Sequence, residues 1–376
     1  MKAENFTENL IIGAGLAGLA MAARLSWHKM PYQILEKSDQ VAHSWEKHYD
    51  SLSMQTSKLY SALPHFAFPL HYPKYVPKNL LLEYCKNYAK EFAMPIVFGT
   101  EINNIKQLTD KNWQVVSKNK QEYLCKNLIV ATGNCQIPSM PDIEGLKKYR
   151  QPLIHSQEYK NAENCDGKKV LVVGFGTSAN EIAYELHKNG AFVSMSVQNS
   201  QHILYKDSFG FSSHEYMVWL YKMNLPSAMT DYFSMLYQRN TVGDAANVGI
   251  NSPNDSLSVQ LKKGIEPTVD VGTLDLIRKK IIRILPAIKK IHPKDIEFEN
   301  KNKESFDKII FATGYQTLVS KLFLQMKEIF NEKGRPEKLF FNDYQGLYFL
   351  GFRHHLAGTI YGINEDSAKI LRQILG

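Results

Sequence analysis

Two glycine-rich turns of the same design, one near the start of the chain and one near its middle, constrain this fold most strongly. In the first, the apolar run Leu10–Ile12 leads directly into Gly13–Gly18, and a helix of small and apolar residues is predicted to extend to about Ser26. A second strand, Tyr32–Leu35, then ends at Glu36. This order of strand, turn, helix and strand within about thirty residues is typical of a unit that binds a dinucleotide.

The three glycines of the first turn have separate predicted tasks. Gly13 allows the tight turn after the strand, Gly15 lets the backbone approach a pyrophosphate, and Gly18 allows the helix to pack closely. The start of the helix offers free N–H groups to phosphates, and Glu36 is placed to accept hydrogen bonds from a ribose. We therefore predict an FAD site here, to which Lys37, Trp45, Thr132 and Gly133 also contribute.

The second turn repeats the design in the middle of the chain. The strand Val170–Val173 precedes Gly174-Phe175-Gly176-Thr177-Ser178-Ala179, and Glu181–Lys188 is predicted as the helix. Ala179 replaces the third glycine, which the motif allows. We predict that this unit binds the nicotinamide cofactor, with contacts from Gly174, Gly176, Thr177, Ser178, Gln198, Thr313 and Gly314.

The end of the strand Phe192–Val197 bears on the choice between NADPH and NADH. Sites specific for NAD place an acidic residue there, and sites specific for NADP place an arginine nearby. This chain has Gln198, and the nearest cationic groups are His202 and Lys206. The sequence thus predicts a relaxed choice between NADPH and NADH that favours NADH.

Two near-identical segments organise the rest of the chain. Ile129–Gly133 and Ile310–Gly314 are each a strand ending in Ala-Thr-Gly. Each is predicted to follow a hairpin, formed by Trp113–Val116 with Tyr123–Cys125 in the first case and by Ile296–Glu299 with Phe306–Ile309 in the second. The predicted fold is α/β, with two Rossmann-like dinucleotide-binding domains and the nicotinamide domain inserted into the FAD domain. The predicted bounds are 1–160 for the first part of the FAD domain, 161–308 for the nicotinamide domain with an insertion at about 207–270, and 309–376 for the second part of the FAD domain.

Composition excludes several other classes of protein. The four cysteines show no CxxC pair and no spacing typical of zinc, so neither a metal site nor a redox-active disulfide is expected. A net charge of +8 comes without any nucleic-acid-binding motif, and the apolar run around the first turn is too short to span a membrane. We expect a cytoplasmic protein that binds small molecules and neither nucleic acid nor membrane, with a homodimer possible.

The order of short motifs along almost the whole chain resembles the flavin-containing monooxygenases, especially the YUCCA-type enzymes. The shared strings begin with the first glycine turn and continue through Ser44-Trp45, Gln55-Thr56-Ser57-Lys58, Asp270-Val271-Gly272-Thr273-Leu274 and Leu356-Ala357-Gly358-Thr359. The identifying motif of that family, FxGxxxHxxx(Y/F), falls on Tyr149, Gln151, His155 and Tyr159, so that Gln151 replaces its glycine. We interpret His155 as a structural residue in preference to a catalytic one.

The resemblance also implies one catalytic candidate. In animal-type members an asparagine of an Asn-x-Ser-Lys string faces the flavin and the nicotinamide, and Gln55 stands at that position here. Gln55 keeps the amide with one more methylene, and it is expected to donate to a flavin peroxide or to orient the nicotinamide. The alternative is a polar surface residue.

The resemblance implies that an FAD- and NAD(P)H-dependent monooxygenase forms a flavin C4a-(hydro)peroxide with O₂. One oxygen atom would then enter a small organic substrate: an amine, a sulfide, or a 2-oxo acid or ketone. One alternative is an NAD(P)H oxidase or flavin reductase that releases H₂O₂. Another is a non-catalytic, redox-sensing flavoprotein.

Overall fold

The computed structural model describes residues 6–208 and 210–376. Its strands are, in chain order, β1 Phe6–Ile12, β2 Tyr32–Leu35, β3 Ile96–Val97, β4 Ile102–Gln107, β5 Trp113–Ser117, β6 Glu122–Val130, β7 Ile137–Pro138, β8 Leu153–His155, β9 Lys169–Val173, β10 Phe192–Ser196, β11 Ile203–Tyr205, β12 Asp207–Ser208, β13 Phe211–Ser212, β14 Thr268–Asp270, β15 Arg283–Leu285, β16 Ile288–Ile291, β17 Ile296–Phe298, β18 Lys303–Glu304, β19 Lys308–Phe311, β20 Tyr315–Gln316 and β21 Leu347–Phe349.

The α-helices lie between these strands and at the end of the chain. They are α1 Leu16–Trp27, α2 His43–Glu46, α3 Lys78–Glu91, α4 Thr177–Lys188, α5 Ser213–Lys222, α6 Ser227–Thr241, α7 Leu257–Lys262, α8 Thr273–Arg278 and α9 Thr359–Leu375. Among the described residues no helix is long and apolar enough to cross a membrane.

The chain divides into two compact units. The first comprises residues 1–46, 57–137 and 315–376, and the second comprises residues 47–56 and 138–314. The predicted boundaries at 160/161 and 308/309 therefore differ from the observed ones. Residues 138–160 and 309–314 belong to the second unit because β8 and β19 pair in its parallel sheet. The short segment 47–56 also joins the second unit, which no local sequence signal indicates.

The first unit is built on a sheet with the order β3-β2-β1-β6-β5-β4, and β21 pairs with β6. β2, β1 and β6 run parallel, whereas β4, β5 and β6 form an antiparallel meander. The central strands are apolar on both faces, since both faces are covered. Leu10, Ile11, Leu128 and Ile129 are fully buried. The parallel strands bring the Gly13 turn and the Thr132-Gly133 turn to the same edge of the sheet.

The second unit has a five-stranded parallel sheet of order β15-β10-β9-β19-β8. Its strands β9 and β19 end together, since Val173 is in register with Phe311. The carboxyl ends of these strands carry the Gly174 and Thr313-Gly314 turns, as β1 and β6 carry theirs in the first unit. The prediction that β17 pairs with Phe306–Ile309 was wrong: β17 pairs with β18, and β19 joins the parallel sheet.

The last helix begins earlier than the sequence suggested. Asn364 is by residue type a candidate N-cap for this helix, but α9 starts at Thr359, directly after Gly358, whose φ is +84°. Asn364 lies inside the helix, where its Nδ2 donates to the carbonyl of Ala62 at 2.7 Å. A side chain committed to a distant carbonyl is not available as a helix cap.

Arg24 ties α1 to α9 within the first unit. Its Nε donates to Ser367 Oγ at 2.8 Å and its guanidinium donates to the carbonyl of Asn364 at 2.9 Å. We expect Arg24→Met to lower the free energy of unfolding by about 1–3 kcal/mol, because partly buried acceptors lose a charged donor. Urea unfolding measures this loss. Arg372→Met, an exposed change on α9, should stay within about 0.5 kcal/mol; equal losses for both variants would contradict the assigned role of Arg24.

Candidate active site

The first glycine turn is tight on one side and open on the other. Gly13 has a φ of +104°, and a Cβ placed there would lie 2.7 Å from the carbonyl oxygen of Ala131. A Cβ at Gly18 would lie 1.9 Å from the carbonyl oxygen of Gly13. A Cβ at Gly15 would meet no protein atom within 4 Å. The turn therefore leaves free space at Gly15, next to the start of α1.

Glu36 is buried beside this turn. One carboxylate oxygen accepts the N–H of Ala14 at 2.7 Å. The other accepts the N–H of Ser38 at 2.9 Å and its hydroxyl at 2.8 Å. The carboxylate thus holds the glycine turn against the end of β2 and keeps lone pairs for a further donor. Lys37 is exposed and Trp45, in α2, is partly exposed.

The turn after β6 adds an unsatisfied polar group. Thr132 Oγ1 is buried and makes no hydrogen bond within the described part of the chain. Gly133 has a φ of +77°, and a Cβ there would meet nothing within 4 Å. Buried hydroxyls are normally hydrogen-bonded. The Thr132 hydroxyl is therefore available for a hydrogen bond to a polar group of a bound ligand.

The second glycine turn has the same geometry. Gly174 has a φ of +118°, and a Cβ there would lie 2.6 Å from the carbonyl oxygen of Ala312, whereas Gly176 faces open space. Thr177 begins α4, and its Oγ1 accepts the N–H of Val269 at 3.0 Å. Ser178 is partly exposed in the first turn of α4.

The remaining predicted residues of the second unit lie around the carboxyl ends of its strands. The hydroxyl of Thr313 donates to the carbonyl of Ser139, and Gly314 is exposed. Gln198 is exposed two residues beyond the end of β10. Both ring nitrogens of His202 are occupied, one by Gln238 and one by the carbonyl of Asp255, each at 2.9 Å.

His155 is buried at the end of β8. Its Nε2 lies 3.1 Å from the carbonyl oxygen of Gly314, so it carries the hydrogen and donates. Its Nδ1 accepts the N–H of Gln157 at 3.2 Å. Burial lowers the pKa of His155. A neutral histidine that ties two backbone segments together has the geometry of a structural residue. In the same motif, the Tyr149 hydroxyl donates to the carbonyl of Phe306 at 2.7 Å, and Gln151 is exposed.

Gln55 contacts a residue that the sequence analysis missed. Its Nε2 donates to a carboxylate oxygen of Glu181, and the hydroxyl of Tyr49 donates to the other oxygen. Burial raises the pKa of Glu181, against hydrogen bonds from Tyr49 and Gln55 and the charge of Lys206. Burial also lowers the pKa of Lys206, whose ammonium donates to Ser53 Oγ at 2.9 Å. Lys206 thus lies close to both Ser53 and Glu181.

One sequence signal could have identified Glu181. It is an acidic residue near the start of the helix that follows a glycine turn, directly before the apolar pair Ile182 and Ala183. Nothing local, however, links it to Gln55, which is 126 residues away in the chain.

The cysteines are not disulfide-bonded. Cys85, Cys125 and Cys165 are buried and Cys135 is exposed. Burial raises the pKa of Cys85 to about 12, so its thiol is protonated at neutral pH and unreactive. No two of these cysteines form the redox-active pair that a disulfide reductase requires.

Thiol titration is expected to report this arrangement. The native protein should react rapidly with an aromatic disulfide reagent at Cys135 alone, and the protein in denaturant should react at all four cysteines. Prior reduction with NADPH should leave the native count unchanged. A gain of two thiols on reduction would reveal a redox-active disulfide and contradict this prediction.

Comparison with known proteins supports an oxidoreductase. The family model for pyridine nucleotide-disulphide oxidoreductases matches residues 10–209, which is more than half of the chain. That range contains both glycine turns, although the chain lacks the paired cysteines. The fold and the two glycine turns thus place the chain among the oxidoreductases that have two dinucleotide-binding motifs.

Comparison with individual proteins assigns the chain to a narrower group of oxidoreductases. The chain is 37% identical over 373 residues to "Probable indole-3-pyruvate monooxygenase YUCCA1" of Arabidopsis thaliana, covering 97% of this chain and 89% of that protein. A flavin-containing monooxygenase from Stenotrophomonas maltophilia has the same fold, with a TM-score of 0.75, 18% identity and coverage of 99% and 98%. The structure titled "OTEMO complex with FAD and NADP" matches with a TM-score of 0.70, 15% identity and coverage of 99% and 86%.

The chain belongs to the flavin-containing monooxygenases, in the group of YUCCA-type enzymes. It is an enzyme, and the resemblance inferred from its short motifs is confirmed. The α/β fold is confirmed as well.

Proposed function

We propose that this enzyme uses FAD and NADPH to transfer one oxygen atom from O₂ to a small 2-oxo acid. The observation that carries the proposal is the pair of glycine turns, each with open space at its second glycine, Gly15 and Gly176. Two such turns in one chain suit an enzyme that passes a hydride from one dinucleotide to another.

The residues of the first unit fit FAD. Gly15 leaves room for the pyrophosphate, and the start of α1 supplies N–H groups. Glu36 keeps lone pairs for a ribose hydroxyl, and Thr132 has an unsatisfied buried hydroxyl. When bound there, FAD would supply the chemistry that activates O₂. The protein's own task is to bind, orient and exclude water.

The residues of the second unit fit the nicotinamide cofactor. Gly176 leaves room for its pyrophosphate, and the first turn of α4, with Thr177 and Ser178, offers N–H and hydroxyl donors. We propose NADPH as the main reductant because the OTEMO structure is titled as containing NADP. This replaces the preference for NADH that the neutral Gln198 suggested.

The substrate class comes from the relatives. The curated relatives are named indole-3-pyruvate monooxygenases, and indole-3-pyruvate is a 2-oxo acid. In the balanced reaction, one 2-oxo acid, one NADPH, one O₂ and one proton give the carboxylic acid shortened by one carbon, CO₂, NADP⁺ and water. The bond between the ketone carbon and the carboxylate carbon breaks, and one oxygen atom of O₂ enters the acid.

Product stoichiometry tests the proposal. Purified enzyme is supplied with NADPH, O₂ and indole-3-pyruvate, and the NADPH oxidised, CO₂ formed and H₂O₂ released are measured together. We expect close to one CO₂ for each NADPH and little H₂O₂. Amines and sulfides serve as alternative substrates, and their oxygenation without CO₂ release from the 2-oxo acid would contradict the proposed substrate class.

A second candidate function is an NADPH oxidase that releases H₂O₂. Gln55 in place of the asparagine of animal-type members, and Gln151 in place of the glycine of the identifying motif, favour it. One H₂O₂ for each NADPH, unchanged by any tested substrate, would establish this function and exclude the monooxygenase reaction. The ratio of kcat/KM for NADPH and NADH, measured in the same assay, tests the cofactor preference.

A further inference from the structure

The amide of Gln55 has its two ends in different environments. Its Nε2 donates to Glu181 and, at 3.1 Å, to the backbone carbonyl of Ser53. Its Oε1 is buried and makes no hydrogen bond within the described part of the chain. Buried acceptors of this kind are normally satisfied, so the oxygen end of the amide is the end that can receive a ligand donor.

The chemistry of the neighbours determines this orientation. A backbone carbonyl and an ionised carboxylate can only accept hydrogen bonds. The two oxygens of Glu181 accept from Gln55 and from Tyr49, and Lys206 adds a positive charge nearby. An amide turned the other way would place its oxygen against the Glu181 carboxylate and the Ser53 carbonyl, which is repulsive. Both N–H groups of Gln55 are therefore committed inside the protein.

We propose that Glu181 is a positioning residue that fixes the Gln55 amide so that its carbonyl oxygen accepts an N–H of the nicotinamide carboxamide. The inference rests on the proposed use of a nicotinamide cofactor by the second unit. Gln55, Glu181 and the Gly174–Gly176 turn all belong to that unit, and Glu181 lies on α4, the helix that the turn begins. The nicotinamide carboxamide carries two N–H donors, and the Gln55 oxygen can accept either of them.

The sequence implies two roles for Gln55, donation to a flavin peroxide or orientation of the nicotinamide, and this assignment selects the second. With both N–H groups engaged, donation requires breaking a hydrogen bond to Glu181 or Ser53. Acceptance requires no rearrangement of the amide.

The ionisation of Glu181 makes the orientation depend on pH. Burial and the neighbouring Glu185 raise the pKa of Glu181, whereas Tyr49, Lys206 and Gln55 oppose the rise. The carboxylate is present above this pKa and is lost as the pH falls through it. A protonated carboxyl can donate to the Gln55 oxygen instead, so selection of an N–H donor should weaken as the pH falls.

A cofactor analogue without N–H donors tests the proposal in the FAD-loaded enzyme. In the 3-acetylpyridine analogue of NADP⁺, the carboxamide NH₂ is replaced by a methyl group and the carbonyl is kept. Calorimetric titration gives the ratio of the two dissociation constants, without turnover. We expect the wild-type enzyme to bind NADP⁺ about tenfold more tightly, as one hydrogen bond to a buried acceptor warrants, with the ratio decreasing at acidic pH.

Substitutions at Gln55, Glu181 and Glu185 distinguish a role of Glu181 in positioning the Gln55 amide from a purely structural role. Gln55→Met and Glu181→Leu should each bring the ratio close to one. Glu181→Gln can still accept from Gln55 through its own amide oxygen, so it should keep the ratio and lose its pH dependence. The matched control is Glu185→Gln on the same helix, whose carboxylate accepts from Ser51 at 2.7 Å. Glu185→Gln should keep the ratio of the two dissociation constants. Because the charge of Glu185 raises the pKa of Glu181, the pH dependence of that ratio should shift to lower pH in this variant.

The outcomes distinguish this inference from the proposed function. Equal binding of both dinucleotides by the wild-type enzyme, or an unchanged ratio in Gln55→Met, would overturn the inference and leave NADPH use intact. If Glu181→Leu does not fold, Glu181→Gln still decides, because a ratio that remains pH-dependent in it overturns the role of Glu181. Failure of NADP⁺ to bind at all would overturn both the inference and the proposed use of NADPH.

Discussion

Gly15→Ala is expected to weaken FAD binding by about 10- to 100-fold while leaving the apoprotein as stable as the wild type. The backbone at Gly15 has a φ of −79° and a ψ of −176°, which alanine adopts without strain. Its Cβ would meet no protein atom within 4 Å. The methyl group would occupy only the space assigned to the pyrophosphate, and overpacking of this kind costs about 1–3 kcal/mol. Flavin fluorescence quenching on titration of the apoprotein with FAD measures the affinity.

Gly18→Ala is the contrasting variant in the same turn. Its Cβ would lie 1.9 Å from the carbonyl oxygen of Gly13, and that backbone atom cannot move without displacing the turn. We expect the apoprotein to lose about 3 kcal/mol or more of unfolding free energy, measured by urea denaturation. If Gly15→Ala bound FAD normally, or destabilised the apoprotein as much as Gly18→Ala, the assignment of the space at Gly15 to FAD would be wrong.

Gly176→Ala is expected to weaken NADPH binding by about 10- to 100-fold and to leave FAD bound. Gly176 has a φ of −68° and a ψ of 174°, and its Cβ would also face open space. The purified variant should remain yellow but be reduced by NADPH only at much higher concentrations. Anaerobic flavin bleaching, followed against NADPH concentration, gives the apparent dissociation constant. Chemical reduction with dithionite checks that the flavin itself is intact.

Gly174→Ala provides the structural control in the second turn. The φ of Gly174 is +118°, and its Cβ would lie 2.6 Å from the carbonyl oxygen of Ala312. Both strain and overpacking act, and we expect a loss of about 2–4 kcal/mol in unfolding free energy. Gly15→Ala and Gly176→Ala together form a crossed test, because each should impair one cofactor only. Loss of FAD from Gly176→Ala would contradict the assignment of the two cofactors to separate units.

The sequence predicted local features best where glycine conformation and strand periodicity decide the structure. β2 was predicted with its observed bounds, and the start of β10 agrees, although that strand ends one residue earlier than predicted. Predictions that depended on partners elsewhere were less successful. Asn364 is inside α9 because Ala62 takes its side chain, and β19 pairs in the parallel sheet because β8 and β9 flank it.

The sequence by itself determined the two strand–turn–helix units and the membership of the monooxygenase family. Both depend on the order of residues along the chain: only glycine tolerates the positive φ of Gly13 and Gly174, and short motifs keep their order whatever they contact. Only the tertiary structure assigned residues 47–56 to the second unit and brought Gln55 to Glu181. Gln55 and Glu181 are 126 residues apart in the chain. Their hydrogen bond depends on the packing of α4 against the segment 47–56, and no local sequence pattern encodes that packing.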